Sequence, residues 1–137
     1  MAYLDRGHAL SATDVEDVLD TITRAGITPG PGGSRIVPLE SPQIAAWVRE
    51  TDRSLRTLAA VGLWPSSQLV AHRDAPITGR RFHLPIQTNP DCWSFHDGVW
   101  SQLQVGKAYE MDPTGWHGAV NWGTEIRWHL MIDLSST

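Results

Sequence analysis

The sequence predicts a mainly β fold with N-terminal helices, a helix-buttressed β-sandwich or jelly roll (cupin-like). Three observations predict it. Apolar residues recur at helical spacing near the N-terminus, as in Val15, Val18, Leu19 and Ile22. After Pro65 the period changes to two, as in Phe82, Leu84 and Ile86. Turn signals then follow at short intervals, at Pro76–Gly79, Asn89-Pro90, Asp97-Gly98, Gly106-Lys107, Asp112–Gly115 and Gly123-Thr124.

Taken in order, Ser11 or Thr13 caps a first helix that runs to Ala25, with Gly26 beyond its end. The stretch ITPGPGGSR, Ile27 to Arg35, reads as a flexible loop, with a lid over a site as the lesser reading. It has no GK[ST] and so is not a nucleotide-binding loop. Ser41-Pro42 is a cap followed by proline at the first helical position. The helix it starts is expected to continue to Val61, with Ile44, Trp47, Val48, Leu55 and Leu58 on its apolar side. Strands are expected near Gln68–Asp74, Arg80–Thr88, Trp93–Phe95, Val99–Val105, Ala108–Met111, Trp116–Trp122 and Arg127–Leu134. The expected organisation is one domain, with 1–65 a helical buttress and 66–137 the β core.

A chain of 137 residues builds one core and leaves no room for a second. Its 41% hydrophobic and 19% charged content is that of a globular protein. The net charge of −4, without a run of like charges, argues against a general electrostatic grip on nucleic acid. Cys92 is the single cysteine, so no internal disulfide forms, and it reads as a small buried hydrophobe. The N-terminus has no basic stretch leading into an apolar one, and no window approaches the ~20 apolar residues of a membrane span. These features predict a soluble protein in a reducing, cytoplasmic setting.

Charge on the strands needs a reason. Side chains two apart on a strand share a face. That sets His72 beside Asp74, and Arg81 beside His83 opposite Phe82, Leu84 and Ile86. His117 and Asn121 share a face further on. On the last strand Arg127, His129 and Met131 face one way and Trp128, Leu130 and Ile132 the other. If the polar faces line the barrel, these groups converge in a pocket. His-x-Asp with a distant His, here His72, Asp74 and His117, is ligand spacing for two histidines and one carboxylate on one metal, a set that suits Fe(II) and leaves positions open. The plain alternative is a surface histidine beside a turn aspartate. Arg127, on the strand after the Gly123 turn, offers a fork for a dicarboxylate. Its plain alternative is a paired or snorkelling arginine on the rim.

The segments HRD, RRFHLPIQTNP, GKAYEMD, WHGAVNWG and RWHLMIDL, in that order from Val70 to Leu134, resemble the aspartyl/asparaginyl β-hydroxylase-like branch of the Fe(II)/2-oxoglutarate dioxygenases, which includes bacterial proline hydroxylases. The resemblance implies a double-stranded β-helix that binds Fe(II) and 2-oxoglutarate and hydroxylates amino-acid side chains. It implies His72, Asp74 and His117 as iron ligands and Arg127 as the residue holding the distal carboxylate of 2-oxoglutarate. It implies Arg81 and His83, as an R-x-H element, at cosubstrate or substrate. Asn121 matches the family pattern and is expected to brace the His117 strand. His129 reads as a residue behind the site or a hydrogen-bonded core histidine, Trp116 as packing or a wall of the pocket, His96 as a turn residue and His8 as surface.

Two other functions stand beside the oxygenase: a metal-binding cupin-type small-molecule binder or isomerase, and a degenerate interaction domain. Arg127 argues against the first, because a simple metal cupin needs no dicarboxylate fork. The intact ligand set argues against the second. The substrate is expected to be an amino acid, a peptide side chain or another small molecule, chosen by the loops Pro29–Arg35, Ala75–Gly79 and Pro90–Gly98.

Overall fold

A computed structural model describes residues 3–136. Its elements are β1 (Leu4–His8), α1 (Ala12–Arg24), a short 3-10 turn (Pro31–Gly33), β2 (Ser34–Pro38), α2 (Pro42–Arg49), β3 (Leu55–Leu63), β4 (Ser67–His72), β5 (Arg80–Gln87), β6 (Cys92–His96), β7 (Val99–Ser101), β8 (Lys107–Met111), β9 (His117–Asn121) and β10 (Arg127–Leu134). The strands form a six-stranded sheet in the order β1-β8-β5-β10-β3-β2 and a four-stranded sheet in the order β4-β9-β6-β7. Every strand pair is antiparallel. Two such sheets face to face make the jelly roll that the alternating second half predicts. No helix among the described residues is long and apolar enough to cross a membrane.

The two helices cover the outer face of the larger sheet. Ser11 caps α1 by accepting a hydrogen bond from the Asp14 amide at 3.1 Å, and Ser41 caps α2 through the Ile44 amide at 3.2 Å. Val15, Val18 and Ile22 of α1 and Ile44 and Val48 of α2 pack on Leu84, Leu130 and Ile132 of the central strands. Burying each such side chain stabilises the fold by about 1.5–3 kcal/mol. β10 sits between β3 and β5, with Leu130 opposite Ala60 and Leu84, and Ile132 opposite Leu58 and Phe82. Its odd-numbered residues Arg127, His129, Met131 and Asp133 point the other way, toward the smaller sheet.

The first half contributes more strand than its sequence suggests. α2 ends at Arg49, where the Thr51 hydroxyl donates to the Val48 carbonyl at 2.7 Å and accepts from the Arg53 amide at 3.2 Å. The expected helix to Val61 is therefore a short helix followed by β3. Leu58 to Leu63 is buried throughout, since one face of β3 meets the helices and the other the barrel. A strand buried on both faces reads as a continuous apolar run, whose period does not distinguish it from a helix. β1 and β2 also join the larger sheet, so 1–65 supplies three of its six strands as well as both helices. The Ile27–Arg35 stretch is the approach to β2. Gly33 lies against Ser67 and accepts from the Trp64 amide at 2.8 Å, at the opposite end of β4 from His72.

Candidate active site

His72 ends β4, His117 begins β9, and the two are direct cross-strand partners. Regular alternation does not produce that pairing. Ser67 opposes Asn121 and Leu69 opposes Ala119, after which a bulge inserts one residue so that His72, not Ala71, opposes His117. Gly118 makes the bulge possible, because a Cβ there would stand 2.5 Å from the Leu69 carbonyl oxygen and 3.1 Å from the Ala71 amide. Asp74 lies two residues past the strand, where its amide donates to the Pro113 carbonyl at 2.9 Å. One ligand atom from each of His72, Asp74 and His117 falls within 4.8 Å of the others. His117 Nε2 is 3.4 Å and His72 Nε2 3.7 Å from the Asp74 carboxylate.

Both imidazoles are held in the same way. His72 Nδ1 bonds the Val70 carbonyl and His117 Nδ1 the Gly115 carbonyl, each at 2.8 Å and each two residues back. Each Nδ1 donates its proton to a carbonyl, which leaves the Nε2 lone pair facing the gap. Burial pulls the His117 pKa down, only partly opposed by the Gly115 bond, so the ring stays neutral. Two imidazoles and a carboxylate form a donor set suited to a divalent first-row metal with open positions.

The resemblance implies Arg81 at cosubstrate or substrate. Its guanidinium bonds two carboxylates of the chain: Nε to Asp133 Oδ1 at 2.8 Å, Nη2 to Asp133 Oδ2 at 3.0 Å and Nη1 to Asp74 Oδ2 at 2.9 Å. Those contacts, the Asp133 hydrogen bond foremost, raise its pKa.

Deeper between the sheets, Arg127 is only 3% exposed. Its Nε has no hydrogen-bond partner, and no carboxylate pairs with it, among the described residues. Burial pulls its pKa down, yet from so high a starting value that the group remains cationic at neutral pH. A buried cation without a counter-charge is costly, so this one fits an anionic ligand entering from the metal side. His83 keeps some surface open to the interior but sits deep among protein atoms. Burial, then the charges of Arg127 and Arg81, push its pKa down to about 3, so it is neutral. His129, 2% exposed and 5.9 Å from His83 ring to ring, is neutral for the same first reason, and its Nδ1 has no partner among the described residues.

The interior holds residues the sequence did not single out. His96 is no turn residue: it is buried, pairs with His117 across β6 and β9, and bonds the Asp112 carbonyl at 2.8 Å. Tyr3 stacks against His96 and His83 at 5.6 and 5.9 Å. Its phenol pKa is raised by burial, against the pull of Arg127 and a hydrogen bond with Ser94. No local motif marks Tyr3 or Ser94. For His96 the signal was available, since Cys92, Ser94 and His96 alternate with Trp93 and Phe95.

Asn121 is fully buried and ties β9 to its surroundings. Its Nδ2 donates to the Leu63 and Glu125 carbonyls, both at 2.8 Å, and its Oδ1 accepts from the Gly123 amide at 3.0 Å. These bonds lie at the far end of the strand from His117. Trp116 is 53% exposed with the Arg73 guanidinium 5.7 Å above its ring, outside the pocket. A cavity of about 600 Å³ opens beside the metal cluster, walled by Ile77, Arg81, His96, Asp97, Met111 and Asp112. Of the expected substrate loops, Ala75–Gly79 reaches it, as does the end of Pro90–Gly98, while Pro29–Arg35 does not.

A family model described as aspartyl/asparaginyl beta-hydroxylase matches residues 39–137. No curated protein matches the chain in sequence. Among solved structures, the viral collagen prolyl hydroxylase of Paramecium Bursaria Chlorella virus-1, in its 2-oxoglutarate complex, superposes with a TM-score of 0.77 at 7% identity, covering 98% of this chain and 96% of that one. A Pseudomonas putida prolyl-4-hydroxylase gives 0.68 at 14% identity, with 98% and 92% covered. HygX from Streptomyces hygroscopicus, with nickel and 2-oxoglutarate bound, gives 0.68 at 12% identity, with 98% and 83% covered. At these identities the likeness is one of fold.

Proposed function

The chain belongs to the aspartyl/asparaginyl β-hydroxylase family, and from that premise we propose that it is an Fe(II)- and 2-oxoglutarate-dependent oxygenase that hydroxylates an amino-acid or peptidyl side chain. One observation carries the reading: two histidines and a carboxylate converge within 4.8 Å, while a buried Arg127 with no counter-charge among the described residues lies deeper in the same barrel. A metal-only cupin leaves that arginine without a purpose. The family relationship and the shared fold of 2-oxoglutarate-bound neighbours support the same reading.

In this proposal His72, Asp74 and His117 hold Fe(II), and Arg127 holds the distal carboxylate of 2-oxoglutarate. When bound, the metal and cosubstrate would activate dioxygen, one atom of which would enter a substrate C–H bond and the other the succinate formed as 2-oxoglutarate loses carbon dioxide. The chain's own residues orient and shelter. The Val70 and Gly115 carbonyls fix the tautomer and ring plane of each histidine. Neutral His83 lines the path between Arg127 and the rim, able to donate one hydrogen bond without adding charge. The cavity at Ile77 and His96 receives the substrate and keeps the target carbon beside the metal.

The test is anaerobic addition of Fe(II) and 2-oxoglutarate, followed by visible absorption. The wild type should develop the weak charge-transfer band of the chelate, and His117→Ala should not. In air the wild type should convert 2-oxoglutarate to succinate. Absence of both band and turnover, with candidate amino acids and peptides supplied, overturns the oxygenase reading.

A further inference from the structure

Arg81 lies too close to the metal cluster to be neutral in its effect. Its Nη1 is 2.9 Å from Asp74 Oδ2, the oxygen that also lies 3.4 Å from His117 Nε2. A guanidinium there competes with a divalent cation for the one negative charge of the ligand set. Left alone with Asp74, it would form a closed ion pair and leave the cluster without net charge.

Asp133 changes that balance. It stands opposite Arg81 in the β10–β5 ladder, so the register of two central strands fixes the pair. It takes two of the guanidinium's donors and leaves one for Asp74. The Arg81 and Asp133 side chains are each 11% exposed, against 37% for Asp74, so the inner pair is the better shielded. One cation and two carboxylates leave a single negative charge, and it falls on the carboxylate facing the histidines. Asp74 is also the one member of the cluster outside a strand, anchored by its amide and by Arg81.

We infer that Asp133 is a positioning residue for the metal site, neutralising Arg81 so that its single contact with Asp74 does not consume the charge the metal needs. The inference rests on the metal-site reading above. It gives a role in the reaction to an aspartate that touches neither metal nor cosubstrate.

The test is calorimetric titration of the full chain with Mn(II), without oxygen, alongside apo melting curves. Asp133→Asn keeps the shape and one acceptor but strands the positive charge. It should weaken Mn(II) binding roughly tenfold to a hundredfold, the usual effect of losing an outer partner of a metal ligand. The decisive variant is the double, Arg81→Gln with Asp133→Asn. It removes both charges and restores the net charge of the cluster, so its affinity should return to within about threefold of wild type. A purely structural pair predicts the opposite, with the double variant at least as weak as Asp133→Asn. Unchanged affinity in Asp133→Asn, or no recovery in the double variant, overturns the inference and leaves the metal site standing. If Asp133→Asn does not fold, the double variant decides alone: affinity near wild type supports the charge balance, and a loss beyond about tenfold overturns it. Wild type that binds no Mn(II), or His117→Ala that binds it undiminished, overturns the metal site itself and the inference with it.

Discussion

Replacing Arg127 by methionine should stabilise the ligand-free protein and weaken 2-oxoglutarate binding, two effects of opposite sign from one side chain. Arg127 is 3% exposed, its Nε lacks a partner among the described residues and no carboxylate pairs with it there. Burial itself opposes its charge. Methionine keeps an unbranched stem of similar reach and removes that charge. Exchanging buried charge for apolar volume stabilises by about 1–4 kcal/mol. At roughly 4 °C per kcal/mol for a domain of this size, the apo melting temperature should rise by about 4–16 °C. With the cosubstrate present the balance reverses. Losing a charge-assisted fork to a buried carboxylate costs about 2–5 kcal/mol. That corresponds to a roughly 30-fold to several-thousand-fold weaker Kd. The assay is thermal melting with Mn(II) saturating, over a 2-oxoglutarate series and without oxygen. Wild type should gain about 2.7 kcal/mol at a hundred times its Kd, and the variant should gain less than about 1 kcal/mol at that concentration. A lower apo melting temperature for Arg127→Met would refute the reasoning, because it would mean that the native fold already satisfies the guanidinium. Equal 2-oxoglutarate stabilisation in both proteins would refute the assignment of the anion.

Two further outcomes follow from the geometry. Gly118→Ala pushes a Cβ against the backbone of the β4 bulge, 2.5 Å from the Leu69 carbonyl oxygen. It should cost about 1–3 kcal/mol in chemical denaturation and weaken Mn(II) binding by displacing His72. A variant of wild-type affinity would show that the bulge does not set the ligand. The second concerns acid. His83 has its pKa pushed down to about 3 from the usual 6.5, so the unfolded chain takes up a proton that the folded one refuses. Stability should therefore be lost as pH falls from 6.5 toward 3, and His83→Gln should remove about one proton from that slope. An unchanged slope in urea titrations across this window would place His83 in a more open setting.

The parts of the fold set by alternation were readable in the sequence. β10 and β5 carry apolar side chains on one face and charge on the other, and both occupy nearly the expected residues. The metal cluster was readable for the same reason, since ligand type and spacing survive small errors of strand boundary. β3 was not, because burial on both faces erases the period that separates strand from helix. β1 and β2 are five-residue strands at opposite edges of one sheet, and little in their own sequence beyond the pairing holds them there. Tyr3 reaches the site only through the β1–β8 ladder, at a sequence distance no motif spans. The role of Arg81 turned on Asp133, and the link between them is a cross-strand register.

The bulge in β4 has a consequence for how this site tolerates a change of strand length. Counting inward from Ser67 and Leu69, an unbroken ladder would next present Ala71, and one extra residue moves that place to His72. Deleting either Val70 or Ala71 would remove the extra residue and leave His72 opposite His117 in an unbroken ladder. Most of the hydrophobic core lies across the barrel, between the helices and the larger sheet, and need not notice. The facing of the two histidines thus survives loss of the extra residue at the rim. A lineage could shorten this strand by one residue and keep the pair together, so strand length at the rim is freer to drift than the order of the two histidines.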